Sequence, residues 1–300
     1  MKGQFSSVGF KKLCGLFGKT RQAWYAETWD GPRQMTEDAI VLDLVALFRR
    51  HMPRVGTRKL FHLLEQPLID HNIKMGRDKL FKLLGCHRLL LKKRKRYTKT
   101  TYSQHWMRKY PNLIRFKKIT AADQVWVSDI TYVRVGKHFS YLSIITDTYS
   151  RKIIGFCLSK SLSTEGCLQA LHMALECRKE KYALTHHSDR GYQYCSKEYV
   201  GLLQQNGIAI SMTENGDPYE NAIAERVNGI LKTEFNMDVT YKSHYQAGKI
   251  IKESIRVYNE MRPHASCDYL TPSEAHLQTG ELQKRWKGYY NVENAKYVES

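Results

Sequence analysis

The sequence predicts an α/β domain built on a mixed sheet and preceded by an all-α region. Three observations carry that prediction. Between 125 and 236, three consecutive β-branched and aromatic runs are followed by alternating helical and strand-like patterns, an order that gives a sheet of mixed direction covered by helices. Before residue 92 the apolar residues read as helices. Charge divides along the same line: residues 1–120 carry 27 Lys and Arg against 8 Asp and Glu, whereas residues 121–300 carry 21 of each. A chain of 300 residues suggests about two domains. The expected division is a helical segment at 1–33, a helix-turn-helix-like unit at 34–91, a basic linker at 92–120, a sheet core at 121–280 and a tail at 281–300.

From the N-terminus, residues 8–29 read as two short helices around Gly18, a pattern compatible with a helix-turn-helix. Residues 34–51 form a longer amphipathic helix, capped by Thr36 and stopped by Pro53. Segments 56–65 and 75–85 then repeat a Leu-Phe-x-Leu-Leu core behind basic residues, Arg58 and Lys59 in the first, Arg77 and Lys79 in the second. They read either as a helix-turn-helix offering those cations to a polyanion or as a plain helical bundle with a solvated basic face. Residues 91–103 include Lys92, Lys93, Arg94, Lys95 and Arg96 without apolar period, and so form an extended linker able to hold phosphates.

The core should run strand (125–135), strand (138–146), strand (152–159), helix (164–180), strand (183–188), helix (196–206), strand (208–212), helix (219–236). Asp129 sits inside the first strand, where an acid is costly unless something pairs with it. Asp189 stands where a strand ends and Gly191 turns the chain. Glu225 lies on a helix whose apolar residues Ile223, Val227, Ile230 and Leu231 share one face, with Asn221, Asn228 and Lys232 beside Glu225 on the other. Three acids on separate elements suit two-metal phosphodiester chemistry, in which ions about 3.5–4 Å apart bridge the attacking and leaving oxygens. Mg²⁺ favours a few carboxylates with water and phosphate. Lys232, two helical turns past Glu225, reaches phosphate beside them. Asp147 is a fourth acid, read as a turn carboxylate paired with Arg151 or Lys152. His187 orients the Asp189 turn or packs beside it, and the polar loop 211–218 is of a kind that closes on DNA.

Several strings are specific in combination: Trp126-Val127-Ser128-Asp129-Ile130-Thr131-Tyr132, His187-Ser188-Asp189-Arg190-Gly191, Glu220-Asn221-Ala222-Ile223-Ala224-Glu225 and Leu231-Lys232-Thr233-Glu234. With Tyr258-Asn259-Glu260-Met261-Arg262-Pro263-His264 and Tyr269-Leu270-Thr271-Pro272, they resemble the second-frame (OrfB) product of the insertion-sequence-three (IS three) transposases, relatives of retroviral integrases. The resemblance runs from about Phe10 to about Gln278. It implies a ribonuclease-H-like integrase core and a DDE triad of Asp129, Asp189 and Glu225. By the same resemblance the triad holds Mg²⁺ or Mn²⁺ as two ions, and Lys232 is the basic residue that follows it. It also implies helix-turn-helix DNA binding, cleavage and strand transfer through a circular intermediate, a homo-oligomer on DNA, and production as a fusion with the upstream-frame OrfA product. Cys267 stands where the family usually has an aliphatic residue. Two other readings are a ribonuclease-H-like nuclease without joining, which the Asp-Asp-Glu order disfavours, and a catalytically silent DNA-binding regulator, which the intact triad disfavours.

Composition narrows the setting. Seven cysteines without a Cys-x-x-Cys pair point to a reducing compartment, and the resemblance implies that this is the bacterial cytoplasm and its nucleoid. Cys157, Cys167 and Cys177 recur every ten residues, match no common zinc spacing and read as buried thiols, so zinc is not expected. The apolar run 39–48 is too short for a membrane and contains Asp43, and no signal peptide is read at the start.

Overall fold

The computed structural model describes residues 9–92, 106–178, 182–214 and 221–285. Lys93, Arg94, Lys95, Arg96 and the loop residues 215–220 lie outside them. The helical region comprises α1 (Phe10–Leu16), α2 (Arg21–His51), α3 (Thr57–Leu63), α4 (Glu65–Asp70) and α5 (Arg77–Cys86). The break expected ahead of residue 34 is not there, and Thr36 is an interior residue of α2 instead of its cap. Arg33 pairs with Glu37 at 2.9 Å across the expected boundary and Gln34 with Asp38 at 2.6 Å just inside it, i,i+4 contacts that favour continuing the helix. The repeated Leu-Phe-x-Leu-Leu segments behave alike. Leu60 and Leu64 on one, and Leu80 and Leu84 on the other, are fully buried against Val41 and Val45 of α2.

The core follows the expected order, every strand and helix present with ends displaced by at most three residues. Strands β1 (Val125–Val135), β2 (His138–Asp147) and β3 (Ile153–Ser159) form an antiparallel meander. Then come α6 (Thr164–Cys177), β4 (Thr185–Ser188), α7 (Tyr192–Cys195), α8 (Lys197–Gln205), β5 (Ala209–Met212) and α9 (Ala222–Glu234). The chain continues through β6 (Thr240–Tyr241), α10 (His244–Glu260) and α11 (Pro272–Ala275). The sheet order is β3-β2-β1-β4-β5, with β4 and β5 parallel to β1, the ribonuclease-H-like arrangement. Helix α6 packs so closely on β3 that a Cβ at Gly155 would fall 2.1 Å from the Ala170 carbonyl oxygen.

The sheet divides two apolar clusters. One joins Trp126, Ile145 and Ile154 to α6, α7 and α8. The other joins Val133, Leu142 and Ile144 to α9 and α10, and continues without interruption into α2–α5. Alternation along β1 therefore turns Asp129 toward α9, with Val133, and away from α6. Helix α10 was not foreseen, although its buried Ala247, Ile251, Ile255 and Tyr258 have helical spacing behind the Ser243 cap. The Tyr269-Leu270-Thr271-Pro272 string is a capping box: Thr271 and Glu274 exchange side-chain and backbone hydrogen bonds at the start of α11.

Two further expectations are overturned. Asp147 does not pair with Arg151 or Lys152. Its fully buried carboxylate accepts hydrogen bonds from Asp123 N–H, Ser150 N–H and Ser150 Oγ, with His276 at 3.9 Å. Arg151 turns away, donating to Thr148 O and Ser266 Oγ. A carboxylate already satisfied by backbone N–H groups needs no cation to remain buried. Of the three evenly spaced cysteines only Cys167 is buried; Cys177 is exposed at the end of α6 and Cys157 is partly so. Cys157 is on β3 while Cys167 and Cys177 are on α6, where ten residues is not a whole number of 3.6-residue turns, so the two helical thiols face different ways. Among the described residues no helix is long and apolar enough to cross a membrane.

Candidate active site

The parallel register of β1 and β4 sets the first two acids side by side. Val127 is opposite His187 in the last β1–β4 pair; Asp129 stands two residues further along β1, and Asp189 just past the end of β4. Neighbouring strands lie about 4.8 Å apart, so carboxylates in the same row meet. Burial, then the Asp189 carboxylate and more weakly Glu225, push the Asp129 carboxyl up to about 7. The opposing hydrogen bonds from Asn228 Nδ2 (2.8 Å) and Ile130 N–H (2.8 Å) do not reverse that rise. Like charges brought together in a half-buried cleft have this effect on whichever is better buried.

Asp189 is held by its own turn, accepting a hydrogen bond from Gly191 N–H at 2.9 Å. Gly191 is needed for this approach, since an added Cβ would stand 2.9 Å from Asp189 Oδ1. The glycine serves closeness and not backbone freedom, because its φ of −62° is open to any residue. Behind the pair, His186 bridges Ser128 Oγ (2.6 Å) and Tyr199 hydroxyl (2.9 Å), and burial lowers its pKa to about 3. That imidazole is neutral and structural. His187 meets Ser211 Oγ at 2.8 Å and ties β4 to β5, one strand over from the acids.

Glu225 lies in the first turn of α9 and is exposed. Two asparagines fasten that helix to β1: Asn221 Nδ2 donates to Ser128 O at 3.0 Å, and Asn228 to Asp129. Both amides were placed on the polar face by periodicity, but their role as clamps was not legible, because it depends on a strand about a hundred residues earlier. Among the described residues no three His, Cys, Asp or Glu side chains stand close enough to hold a metal ion. Of the two acids that act on the Asp129 carboxyl, Glu225 acts more weakly than Asp189. Lys232, half-buried on the same helix, lies where the Asp129 charge favours its ammonium against the dominant effect of burial, which lowers its pKa.

The other basic residues divide. Arg58, Arg77, Lys79 and Lys92 are exposed on the helical region and its exit, Arg77 beside Asp78 and Lys79 donating to Gln34. Lys59 is turned inward, its ammonium 2.9 Å from Glu234 at the end of α9. Glu234 also takes a two-pronged contact from Arg262, at 2.8 and 3.0 Å. The Leu-Lys-Thr-Glu and Tyr-Asn-Glu-Met-Arg strings thus meet in space.

Residues 119–218 and 206–272 each match a model of the integrase core domain. The chain is 32% identical over 265 residues to the insertion element IS600 uncharacterized 31 kDa protein of Shigella sonnei, spanning 87% of this chain and 96% of that one. It is 31% identical to the transposase for insertion sequence element IS904 of Lactococcus lactis subsp. lactis (strain IL1403), over 81% of this chain and 95% of that one. With the transposase InsF for insertion sequence IS3fB of Escherichia coli (strain K12) the figure is 28%, over 90% and 94%. Among solved structures, the HTLV-2 integrase catalytic core domain in complex with magnesium (trimeric form) aligns with 52% of this chain and 97% of its own, at 18% identity and a TM-score of 0.43.

Proposed function

The chain belongs to the IS3-type insertion-sequence transposases, DDE polynucleotidyl transferases with an integrase core, and from that premise we propose that Asp129, Asp189 and Glu225 are its catalytic and metal-holding residues. The observation that carries the assignment is that Asp129 and Asp189 each stand two residues beyond the last β1–β4 pair, with the Asp129 carboxyl pushed up to about 7 by burial and by Asp189. The donor set fits a hard divalent cation: carboxylate oxygens in mutual repulsion, beside an Asn228 side-chain oxygen that is buried without a hydrogen-bond partner. Asp129, Asp189 and Glu225 would hold Mg²⁺ or Mn²⁺, as two ions, whose contribution is Lewis-acid stabilisation of the attacking and leaving oxygens.

The chain's own residues do the rest. Asn228 fixes the rotamer of Asp129, and the Gly191 turn fixes that of Asp189. Glu225, exposed in the first turn of α9, completes the set. Lys232 neutralises a phosphate at the cut. Water attacks the phosphodiester at an element end, freeing a 3′-OH and leaving a 5′-phosphate, and that 3′-OH then attacks a second phosphodiester and displaces its 3′-oxygen, with no protein–DNA bond. DNA is held along the exposed cations Arg58, Arg77, Lys79 and Lys92 and the linker cations Lys93, Arg94, Lys95 and Arg96. Lys59 is left out of that set because Glu234 occupies it. The working form is a homo-oligomer on DNA, made as a fusion with the upstream-frame OrfA product and acting in the bacterial cytoplasm on nucleoid DNA.

Cleavage of labelled DNA carrying the element end, with Mg²⁺ or Mn²⁺, tests the assignment. Asp129→Asn, Asp189→Asn and Glu225→Gln should each lower the rate at least about a thousandfold, since several kcal/mol of charge stabilisation is lost. DNA affinity should be little changed. Substantial cleavage by any one of the three removes that residue from the triad.

A further inference from the structure

Residues 106–118, Trp-Met-Arg-Lys-Tyr-Pro-Asn-Leu-Ile-Arg-Phe-Lys-Lys, contain five cations and no acid. They form neither helix nor strand but lie along β5, the outer strand of the sheet. Three contacts hold them there. Pro111 O accepts from Met212 N–H (3.3 Å), Leu113 N–H donates to Ser211 Oγ (2.8 Å) and Asn112 N–H donates to Glu214 Oε1 (2.9 Å). Met212, which Pro111 meets, is itself paired with Ser188, the residue before Asp189, so the segment runs one strand over from the Asp189 turn.

A segment that merely covered a sheet edge would turn its large apolar groups inward. Met107 and Tyr110 do pack against the α6–α8 cluster. Trp106 and Phe116 do not: they are 88% and 92% exposed, the most exposed of the large apolar side chains among the described residues. Each is flanked by cations. Arg108 and Lys109 follow Trp106, and the Arg115 guanidinium stands over the Phe116 ring at 5.6 Å. Exposed rings interleaved with cations are the composition that grips unpaired nucleic acid, the rings stacking on bases and the cations following the phosphates. Paired duplex hides its base faces, so exposed rings point to nucleotides that have been opened.

We infer that residues 106–116 are a strap for unpaired DNA, in which Trp106 and Phe116 stack on opened bases while Arg108, Lys109 and Arg115 hold the phosphates leading to the Asp189 turn. The strap deepens the transposase reading and rests on it. It grips the strand opened at an element end, beside the acids that cut it.

The full-length chain without divalent metal, titrated against a labelled blunt duplex and the same duplex with an unpaired tail of about six thymidines, tests the strap. The unaltered chain should bind the tailed DNA at least about tenfold more tightly than the blunt one. Trp106→Ala with Phe116→Ala should abolish that preference while leaving blunt-duplex affinity and the thermal midpoint unchanged, since neither ring is in a core. Trp106→Tyr with Phe116→Tyr should keep it. The strap is overturned if the unaltered chain shows no preference for the tail, or if the alanine variant retains it. Loss of self-association on sedimentation with the tail preference intact would assign the rings to a protein contact and equally overturn it. Asp129→Asn separates the two ideas: it should retain the tail preference whether or not it cleaves, and cleavage by that variant would unseat the triad alone.

Discussion

Helix α9 carries a carboxylate near each end, and the two have opposite surroundings. At its start Glu225 lies near Asp129, whose carboxyl is pushed up to about 7 by burial first, then by Asp189 and more weakly by Glu225. At its end Glu234 meets the fully buried Arg262 and the inward-turned Lys59. Burial there also favours the neutral acid, but Arg262 and then Lys59 reverse it and bring Glu234 down to about 2. The Arg54 N–H donates to the Glu234 carbonyl at 2.9 Å, so the same residue fastens the helical region through its backbone as well. One end is a joint in which two cations share one carboxylate. The other gathers acids that repel one another, an arrangement that a fold tolerates where a cation and a polyanion are to be brought in.

The largest effect should come from breaking the joint. Glu234→Gln leaves the Arg262 guanidinium buried without a counter-charge and should cost about 3–5 kcal/mol in urea unfolding at neutral pH. Its pH dependence has a definite sign. The folded carboxyl at about 2 lies below its ordinary 4.5, so Glu234 stabilises the protein above pH 4.5, and that contribution is lost as pH falls through about 2. Stability of the Gln variant should fall less steeply over that window, and parallel curves for the two proteins would mean that the joint holds nothing together.

Relieving the other end should have the opposite sign. Without metal, Asp129→Asn should raise stability by about 1–2 kcal/mol at pH 8, by removing a half-buried charge that its neighbours repel. Asn228 can accommodate the new amide by presenting its side-chain oxygen, which has no hydrogen-bond partner. Added Mg²⁺ should raise the thermal midpoint of the unaltered chain and not of the variant. A variant less stable than the parent without metal would show that the acid pair is not under repulsion.

Smaller still is the expected effect of Gly191→Ala. Its Cβ would crowd Asp189 Oδ1, and the carboxylate must swing aside. Cleavage should slow by about tenfold through misplacement alone, with DNA affinity unchanged; an unaltered rate would mean that the turn does not position Asp189. Least of all in energy, Arg58→Ala and Lys79→Ala should each flatten the slope of log affinity against log salt by close to one unit. Lys59→Met should leave the slope alone. Equal slopes for all three would place Lys59 on DNA after all.

The period of two in 125–135 and of 3.6 in 219–236 is written locally, which is why strand, helix and the elements bearing Asp129, Asp189 and Glu225 were legible from residue types. The buried stripe of α10 was equally local and could have been read from its four apolar positions. What no local pattern carries is the identity of partners. Glu234 and Lys59 are separated by 175 positions and Asn228 and Asp129 by 99, so whether a carboxylate meets a cation, an amide or another acid depended on how the sheet and helices closed. Asp129 and Asp189 became neighbours through a strand register that hydrogen bonding between β1 and β4 sets, and Asp147 found backbone donors where a nearby arginine had been expected. Side-chain charge is local and electrostatic environment is not, since the energy of a buried acid depends on groups a few ångströms away in space, whatever their distance along the chain.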